Sequence, residues 1–475
     1  MVRRETAPAV DEPPIVVCTC LLFRLVGVRV LPSETALPDK PRQRSGGKAV
    51  RLCWSSVPVL DMSRIVQKFG GSSLATPDRI KNVASRVVNA RRTGAQVMVV
   101  VSAMGDTTDD LATLAREVNP NPPAREMDML LTAGERISIA LTAMAIASHG
   151  VEAVSLTGSQ AGILTDETHG AAKIQGITGA RVTDNLSEGK VVIVAGFQGV
   201  SPRSKEITTL GRGGSDTSAV ALAAALEGDV AEIYTDVPGV MAADPRIVPE
   251  AQKLDEVSYE VMMELAASGA GVLIPRAVEV GRRYGVPIHV RSSFTDSPGT
   301  WIRKATEMES MEQAIISGIA HDASEAKVTL REVPDQPGVA ASIFEPLAAA
   351  GVNVDMIVQN VSRDGLSDIS FTIPKSSSEW AEEVVRLIGR QVKASAVEIQ
   401  HDIAKVSLVG AGMRTEPGVA ARVFRTLGRA GINIEMISTS TIRISCVVDQ
   451  SQMNQAVQAL HREFRPPMIK SERGV

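Results

Sequence analysis

The sequence predicts an α/β protein in which a domain with a mainly parallel sheet precedes two copies of a smaller βαββαβ module. Two observations carry this prediction. Between residues 62 and 303, apolar strand-like segments alternate with longer segments whose apolar residues recur at helical spacing. In the C-terminal third, segments 337–357 and 417–437 are identical at 12 of 21 positions, at an offset of 80 residues.

The N-terminal domain opens with a strand, a helix and a second strand. The strand over 64–69 leads through paired glycines and serines into a capped helix over 76–94. Segment 95–105 is a continuous apolar run, as expected for a strand that is buried on both faces. The same alternation predicts further strands over 151–158, 190–200 and 230–240, and helices over 135–150 and 217–228.

Each copy of the repeat starts with a strand, continues with a helix that ends at a glycine, and adds two more strands. The first copy then has a helix from about residue 377 to 391 and a strand over 394–400, which completes βαββαβ. The second copy lacks a convincing last strand. The apolar segment 314–320 would complete that second sheet, so we expect the two modules to interlock.

Charge and cysteine content exclude some classes of function. The formal net charge of −4 gives no electrostatic case for nucleic-acid binding. The cysteines show neither zinc-ligand spacing nor a disulfide framework, which favours a reducing cytoplasm. They are Cys18, Cys20, Cys53 and Cys446.

The first 61 residues do not match the pattern that follows. They are rich in Pro and Arg, and arginines interrupt their apolar run over 15–31, which is too broken for a membrane span. A well-patterned strand follows Met62 at once. We therefore expect Met62 to be the physiological start, and residues 1–61 to be a mis-annotated or disordered extension.

A lysine, two glycines and two serines lie between the first strand and its helix. Gly70 and Gly71 would let the backbone approach an anion, the helix N-terminus would favour negative charge, and Lys68 would neutralise a phosphoryl group. Ser72 and Ser73 would add hydroxyl donors. A tight turn with no ligand is the alternative, because such glycine pairs are common.

A second loop of this kind lies in "TTLGRGGSDTSAVALAAAL", again at a helix start. Arg212 can bind a carboxylate bidentately, and Asp216 could orient Lys68 or help to hold a magnesium–nucleotide complex. The alternative is that Ser215 or Asp216 only caps the helix.

Two further stretches carry polar residues at turns. In "LLTAGERIS", Glu135 is placed in a turn entering a helix, where it could receive an amino group or serve only as a partner of the helix dipole. In "IYTDVPGVMAADPR", a strand runs into a loop that contains Thr235, Asp236 and Arg246. Such a loop at the carboxyl end of a strand is where α/β sheets bind ligands.

Taken together, these motifs resemble the aspartokinases. The stretches "QKFGGSS", "VVVSAMGDTTDDL", "LLTAGERIS", "TTLGRGGSDT", "YTDVPGVMAADPR", "RRYGVPIHVRSSF" and the duplicated segment follow one another in order from Met62 to about Phe464. The resemblance implies a three-layer amino-acid kinase domain followed by two interlocked, ferredoxin-like ACT domains. The implied division is 1–61 extension, 62–303 kinase domain, 304–326 linker with the strand that completes the second ACT sheet, 327–400 first ACT domain and 401–475 second ACT domain.

The resemblance also implies an activity. Aspartokinases transfer a phosphoryl group from ATP, with Mg²⁺, to the β-carboxylate of L-aspartate, without a covalent enzyme intermediate. This is the first step towards lysine, threonine, methionine and diaminopimelate. Such chemistry depends on positioning and charge, which suits a site with a lysine, glycine amides and an arginine.

Roles carry over by similarity to matching positions, and no side-chain cluster is assigned to a metal. The catalytic residues are Lys68, Asp216 and Arg212. The ATP site comprises Lys68, Phe69, Gly70, Gly71, Ser72, Thr235, Asp236, Met241 and Arg246. The aspartate site comprises Ser102, Glu135, Arg212, Gly213, Gly214 and Ser215. The effector site for lysine, threonine or both comprises Asp335, Gly338, Asn353, Asp355, Gln359, Asn433 and Glu435, and the loops 335–340 and 416–420 are expected to face the asparagines and carboxylates.

The sequence departs from the family pattern at several positions. Gly271 replaces a lysine that commonly faces the nucleotide, and Ile274 replaces a histidine, so we expect a weaker or altered ATP site. Met241 stands where an aromatic residue is frequent. Thr441 replaces a frequent glutamate in the regulatory region and puts feedback strength in doubt.

Assembly and rival functions remain open at the level of sequence. A homo-oligomer is expected, and Met311 could start a smaller subunit in an α2β2 assembly. Kinases of the same fold that act on glutamate, acetylglutamate or UMP are rivals, against which the tandem ACT repeats argue. A catalytically weak amino-acid sensor is the rival from another class, supported only by Gly271 and Ile274.

Overall fold

The computed structural model describes residues 63–305, 315–361, 365–375, 378–411, 413, 416 and 418–465. All of these residues belong to one unit, which spans residues 60–475. The predictions about residues 1–61, including Cys18, Cys20 and Cys53, lie outside the described residues, as does the internal start at Met311.

Strands and helices alternate through the first part of the described chain, as predicted. The strands are β1 (Arg64–Phe69), β2 (Gln96–Val101), β3 (Ala153–Leu156), β4 (Ile163–Thr165), β5 (Ile174–Ile177), β6 (Val191–Ala195), β7 (Gln198–Val200), β8 (Ile207–Thr209), β9 (Val230–Thr235), β10 (Glu256–Ser258), β11 (Ile288–Ser292) and β12 (Thr300–Arg303). The helices are α1 (Gly71–Leu74), α2 (Pro77–Arg92), α3 (Thr107–Val118), α4 (Ala124–Ala147), α5 (Ala180–Ser187), α6 (Gly214–Ala225), α7 (Tyr259–Ala267) and α8 (Pro275–Tyr284).

The central sheet has the order β10-β12-β11-β9-β1-β2-β6-β3. Its neighbouring strands are parallel except for β11 and β12, which confirms the mainly parallel sheet. The chain builds outward from β1 in both directions, since β2 lies on one side and β9 on the other. The carboxyl end of β1 is therefore a topological switch point, where open α/β sheets bind ligands.

Both faces of this sheet are covered. Along β2, Val97, Val99 and Val101 pack into the core on one face, whereas Met98 and Val100 pack into the core on the other. This alternation explains why the strand reads as a continuous apolar run. A second, smaller sheet, β5-β4-β7-β8, belongs to the same domain.

Two predicted elements differ from the structure. The strand expected over 190–200 is divided into β6 and β7, which belong to different sheets, because Phe197 adopts a left-handed conformation (φ 67°) between them. The helix expected over 135–150 begins instead at Ala124 and includes Gly134. A Cβ at Gly134 would lie 2.7 Å from the Cβ of Ala103, so glycine serves close packing here and does not mark a turn.

The two regulatory modules interlock. Their strands are β13 (Ile315–Asp322), β14 (Glu325–Pro334), β15 (Ile357–Val361), β16 (Leu366–Pro374), β17 (Ala396–Gln400), β18 (Ile403–Ala411), β19 (Met436–Thr439) and β20 (Arg443–Asp449), and their helices are α9 (Val339–Ala349), α10 (Ser378–Gln391), α11 (Val419–Arg429) and α12 (Met453–Phe464). The first module has the sheet β15-β16-β14-β17, and the second has β13-β18-β20-β19. Strand β13 precedes the first module in the chain but pairs antiparallel with β18 of the second.

Reciprocal ion pairs join the two modules. Lys405 of β18 is 1% exposed and contacts Glu325 at 2.6 Å and also Asp355, both in the first module. In turn, Lys327 of β14 contacts Glu435 of the second module at 2.9 Å. Burial opposes the charge on Lys405, but Glu325 and Asp355 outweigh this effect and raise its pKa.

One described helix, α4, is long and apolar enough to cross a membrane by length and composition alone. Its buried face carries Asp128, Thr132 and Glu135, and it packs against α2 and β3 of the kinase-like domain. One face of α4 thus packs within the domain, whereas Ile137 and Met144 on the same helix are exposed.

The buried pair at Lys405 should stabilise the regulatory region. Lys405→Met removes the positive charge and leaves Glu325 buried without a counter-charge, so we expect a loss of about 3 kcal/mol in unfolding free energy. Calorimetric melting of the full chain measures it. Arg203→Met, which breaks the exposed pair with Glu167, is the control and should leave the melting temperature unchanged. Equal shifts for both variants would contradict the assignment.

Candidate active site

A buried ion pair lies at the switch point of the central sheet. Lys68, the penultimate residue of β1, places its Nζ 2.6 Å from Oδ1 of Asp216, in the first turn of α6. The two side chains are only 12% and 9% exposed. Helix α6 begins at Gly214, and neither Ser215 nor Asp216 caps it, since Gly213 occupies the cap position without a side-chain bond. The alternative that Asp216 only caps its helix is therefore wrong.

The glycines beside Lys68 are required by close approach. A Cβ at Gly70 would lie 3.3 Å from the Lys68 ammonium, and a Cβ at Gly71 would lie 2.7 Å from the carbonyl oxygen of Gly105. The loop therefore has a steric reason for its glycines, whether or not it holds phosphate. Ser72 is exposed and its carbonyl accepts a bond from Arg79.

Phe69 belongs to the core. Its ring is fully buried and stacks on Tyr234 with ring centroids 4.6 Å apart. Alternation along β1 turns its side chain into the face packed by α2 and α4. Its predicted place in the ATP site stays a prediction, which its backbone would have to fulfil.

Several predicted aspartate-site residues meet next to the ion pair. Ser102, directly after β2, donates to the hydroxyl of Ser215 in α6 at 2.9 Å. The backbone N–H of Ala103 donates to Oε1 of Glu135 at 3.0 Å. Parallel strands β1 and β2 end side by side, which brings residues distant in sequence to one edge.

Glu135 lies in the middle of α4 and is 2% exposed, so its predicted place in a turn is wrong. Burial raises its pKa to about 7, although its own backbone N–H and that of Ala103 favour the ionised form. Its Oε2 has no hydrogen-bond partner among the described residues. Oε2 of Glu135 is therefore a buried acceptor without a donor in the described part of the chain, whereas Oε1 accepts from Ala103.

Arg212 points away from this cluster. Its side chain is 94% exposed and lies 3.5 Å from Asp109 of α3. The next residue, Gly213, has φ 69°, and a Cβ there would lie 2.4 Å from Ile274. Ile274 therefore packs against the loop that carries Arg212. The sequence had instead suggested that its effect would fall on the ATP site.

A cavity of about 390 Å³ lies beyond the end of β9 and brings the other predicted ATP residues together. We call it the Asp244 cavity. Its walls include Thr235, Asp236, Met241, Arg246 and Gly271. A Cβ at Gly271 would meet nothing within 4 Å, so the missing side chain leaves open space.

The regulatory strand β13 forms part of the same cavity wall, which sequence reasoning missed. His321 Nε2 lies 3.2 Å from Oδ2 of Asp244, and Asp244 accepts from Arg246, whose guanidinium is 86% exposed. The bond from Arg246 is the main reason that the pKa of Asp244 falls to about 2. No sequence motif predicts the contact of His321 with Asp244, because this contact depends on where β13 packs.

A second cluster, which the sequence did not predict, supports the segment that precedes Arg212. Asp128 is 1% exposed, lies two turns before Glu135 on α4, and contacts His169 Nδ1 at 2.7 Å. It also accepts from the hydroxyl of Thr209 and the N–H of Gly170. A Cβ at Gly211 would lie 2.9 Å from the carbonyl of Gly170, so this cluster braces the segment before Arg212.

The predicted effector residues of the first module divide between the two ends of its sheet. The N–H of Asp335 donates to the carbonyl of Gly365, just after the end of β14. Gln359 Nε2 donates to the hydroxyl of Ser367 at 3.5 Å, and Ser367 pairs with Val333 near the same end of β14. The N–H of Asp355 instead donates to Thr372, which pairs with Lys327 near the start of β14.

Within each module, the loop that precedes the helix therefore lies at the other end of the sheet from the asparagine and carboxylate that follow the helix. The expectation that the loops 335–340 and 416–420 face these residues in an effector site between paired domains stays a prediction. Helices α9 and α11 each carry the chain from one end of the sheet to the other. Gly338 and Gly418 precede these helices, whereas the exposed Asn353 and Asn433 follow them. Asp355 and Glu435 already pair with lysines of the opposite module.

Family models match both the N-terminal domain and the two C-terminal modules. Residues 63–292 match the amino acid kinase family, and residues 328–388 and 406–464 each match the ACT domain.

Two known proteins, one of them in two crystal structures, show similarity over most of the chain. The chain is 57% identical over 405 residues to the aspartokinase of Mycolicibacterium smegmatis, covering 85% of this chain and 96% of that protein. A crystal structure of E. coli aspartokinase III in complex with aspartate and ADP, in the R-state, superposes with a TM-score of 0.74 at 25% identity, covering 85% of this chain and 100% of that one. A crystal structure of the same enzyme in complex with lysine and aspartate, in the T-state, gives a TM-score of 0.65 at 25% identity. It covers 84% of this chain and 99% of that one.

The raised pKa of Glu135 predicts a stability cost at neutral pH. Between about pH 4.5 and 7 the unfolded chain loses this proton while the folded chain keeps it, so stability falls as the pH rises. Glu135→Gln removes the titration and should raise the unfolding free energy by up to about 3 kcal/mol at pH 8, and by much less at pH 5. Urea unfolding at both pH values measures it. A gain of the same size at both would contradict the assignment.

Proposed function

The chain belongs to the aspartokinase family, and we propose that it uses ATP and Mg²⁺ to phosphorylate the β-carboxylate of L-aspartate, giving 4-phospho-L-aspartate. The observation that carries the proposal is the buried Lys68–Asp216 pair at the switch point, with glycines beside it. Family membership rests on relatives more than half identical over most of the chain.

Lys68 would stabilise the transferring phosphoryl group. Its ammonium is fixed by Asp216, which lies on another element, so it need not reorganise when charge develops on the phosphoryl oxygens. Gly70 and Gly71 leave the backbone open to phosphate, and the Asp244 cavity would receive the rest of the nucleotide, with Thr235, Asp236 and Arg246 in contact.

The residues present suit Mg²⁺–ATP. Mg²⁺ in kinase sites is bound largely by phosphates and water with one or two carboxylates, and it neutralises charge on the phosphates. Such an ion needs no cluster of three protein ligands, and none occurs in the described part of the chain.

Glu135 and Arg212 would recognise the two ends of the amino-acid backbone. The unpartnered Oε2 of Glu135 would accept from the aspartate ammonium, which lowers the pKa of Glu135 from about 7, so substrate binding releases a proton near neutral pH. Arg212 would turn inward from Asp109 to bind the α-carboxylate. Gly213, Gly214, Ser102 and Ser215 would line the pocket.

We further propose that lysine, threonine or both inhibit the enzyme through the ACT domains. Asp335, Gly338 and Gln359 stand at one end of the first module, next to backbone N–H groups at a helix start, which suit a carboxylate. One similar structure, that of E. coli aspartokinase III, contains lysine. Asp355 and Glu435 instead join the two modules, whereas Asn353 and Asn433 remain exposed. Adding lysine and threonine, singly and together, to the assay below tests this proposal.

Further assignments complete the proposal. The reaction would be the first step of lysine, threonine, methionine and diaminopimelate synthesis, in the cytoplasm. The chain would act as a homo-oligomer, which native mass measurement tests. The smaller subunit starting at Met311 remains a prediction.

The kinase proposal is tested by ADP release from the full chain with ATP, Mg²⁺ and L-aspartate. We expect turnover that requires aspartate, and a fall in kcat on the order of 100- to 1000-fold for Lys68→Met, because the charge that stabilises the transition state is lost. Lys81→Met, at an exposed lysine of α2, is the matched control and should keep full activity. Bound effector without any turnover would overturn the proposal in favour of the sensor.

The regulatory strand should influence nucleotide binding through His321. His321→Leu removes the bond to Asp244 and frees the loop of Arg246, so we expect KM for ATP to rise about fivefold while KM for aspartate stays the same. His321→Gln places a donor near the position of Nε2 and should restore most of the affinity. Initial rates with each substrate varied give both constants, and equal effects on both would refute a role at the nucleotide side.

A further inference from the structure

A cavity of about 500 Å³, larger than the Asp244 cavity, lies between β5, α6 and α8. We call it the α6–α8 cavity. It lies along the same helix that carries Asp216, but none of its lining residues belongs to the proposed ATP, aspartate or effector sites. Its size is typical of small-molecule sites.

Basic side chains outnumber acidic ones around this cavity. Lys173, Arg276 and Arg283 line it together with one acidic residue, Glu279. Among the described residues, none of the three basic side chains lies within ion-pair distance of a carboxylate. A cleft with unpaired charge of one sign attracts ligands of the other sign.

Much of the remaining cavity wall is apolar. Ile174, Ala221, Ala224 and Val280 contribute to it, and Ala221 and Ala224 lie on one face of α6. Thr217, one turn before Ala221, also lines the cavity; it is 1% exposed and its hydroxyl has no partner among the described residues. The wall therefore suits a ligand with an apolar body.

Arg276 connects the cavity to the substrate loop. Its guanidinium donates to the carbonyl of Leu210 at 3.2 Å and to that of Ala172 at 2.7 Å. Leu210 directly precedes the loop of Gly211–Gly214. Two of the five N–H donors of Arg276 are thus used on backbone, which leaves donors for a ligand.

We propose that the α6–α8 cavity is a second ligand site, which binds a small carboxylate with an apolar body. The carboxylate contacts Lys173 and Arg276, and the apolar body packs on α6 and α8. This site lies in the catalytic domain and is separate from the ACT domains.

Titration calorimetry of the full chain, without nucleotide or aspartate, tests the proposal with three probes. Phenylbutyrate should bind saturably, with a dissociation constant about tenfold lower than that of the uncharged phenylbutyramide. Inorganic phosphate should bind more weakly than phenylbutyrate, since it lacks the apolar body. Equal binding of the acid and the amide, tighter binding of phosphate, or no binding of phenylbutyrate would overturn the proposal.

Two variants locate the binding. Ala224→Phe fills the cavity from its half-exposed side and should abolish binding of phenylbutyrate, whereas Lys173→Met should weaken it about fivefold. Lys81→Met is the control for charge. Melting temperatures equal to that of the parent chain establish that the variants fold. Unchanged affinity in Ala224→Phe, with its folding verified, would place the ligand elsewhere and refute the site.

Discussion

The buried pair of Lys68 and Asp216 is the constraint on which the catalytic domain depends. It joins the end of β1 to the start of α6, and neither charge could be buried without the other. The surrounding residues follow from it. Gly70 leaves room for the ammonium, Gly213 brings the chain into α6 in a left-handed turn, and Ser215 beside Asp216 meets Ser102 from the adjacent strand. The same pair that fixes the packing would, under the proposed function, fix the geometry for phosphoryl transfer.

Strand β13 gives the ACT region a direct contact with the Asp244 cavity of the kinase domain. It is hydrogen-bonded to β18 of the second module, while the N–H of Ile319 donates to the carbonyl of Ala242 in the kinase loop at 2.8 Å. Two residues later, His321 contacts Asp244. A Cβ at Gly269 would lie 2.0 Å from the carbonyl of His321, so this contact is too close to shift without moving the loop. Reciprocal lysine pairs join the first module to the second, and the second module pairs directly with β13.

The sequence predicted most elements because their signals are local. A continuous apolar run predicted β2, the repeat predicted both modules, and the apolar segment 314–320 predicted the strand that completes the second. The predicted secondary structure was wrong where one residue type occurs for two different structural reasons. Gly134 suggested a turn, yet it lies inside a helix because Ala103 comes too close for a side chain. The exposure of Arg212 and the contact of His321 with Asp244 depend on tertiary packing, and nothing local in sequence encodes them.

Two of the departures from the family pattern, Gly271 and Ile274, lie in different parts of the candidate site, which bears on how each is tolerated. Gly271 lines the Asp244 cavity and leaves open space, so under the proposed function its cost is confined to contacts with nucleotide. Ile274 packs under Gly213 and fills the volume that a Cβ there would need, so it gives apolar support to the loop that the proposed function assigns to aspartate. Neither residue contacts the Lys68–Asp216 pair. Loss of chemistry would require that pair to break, whereas an altered affinity for each substrate requires only these local changes.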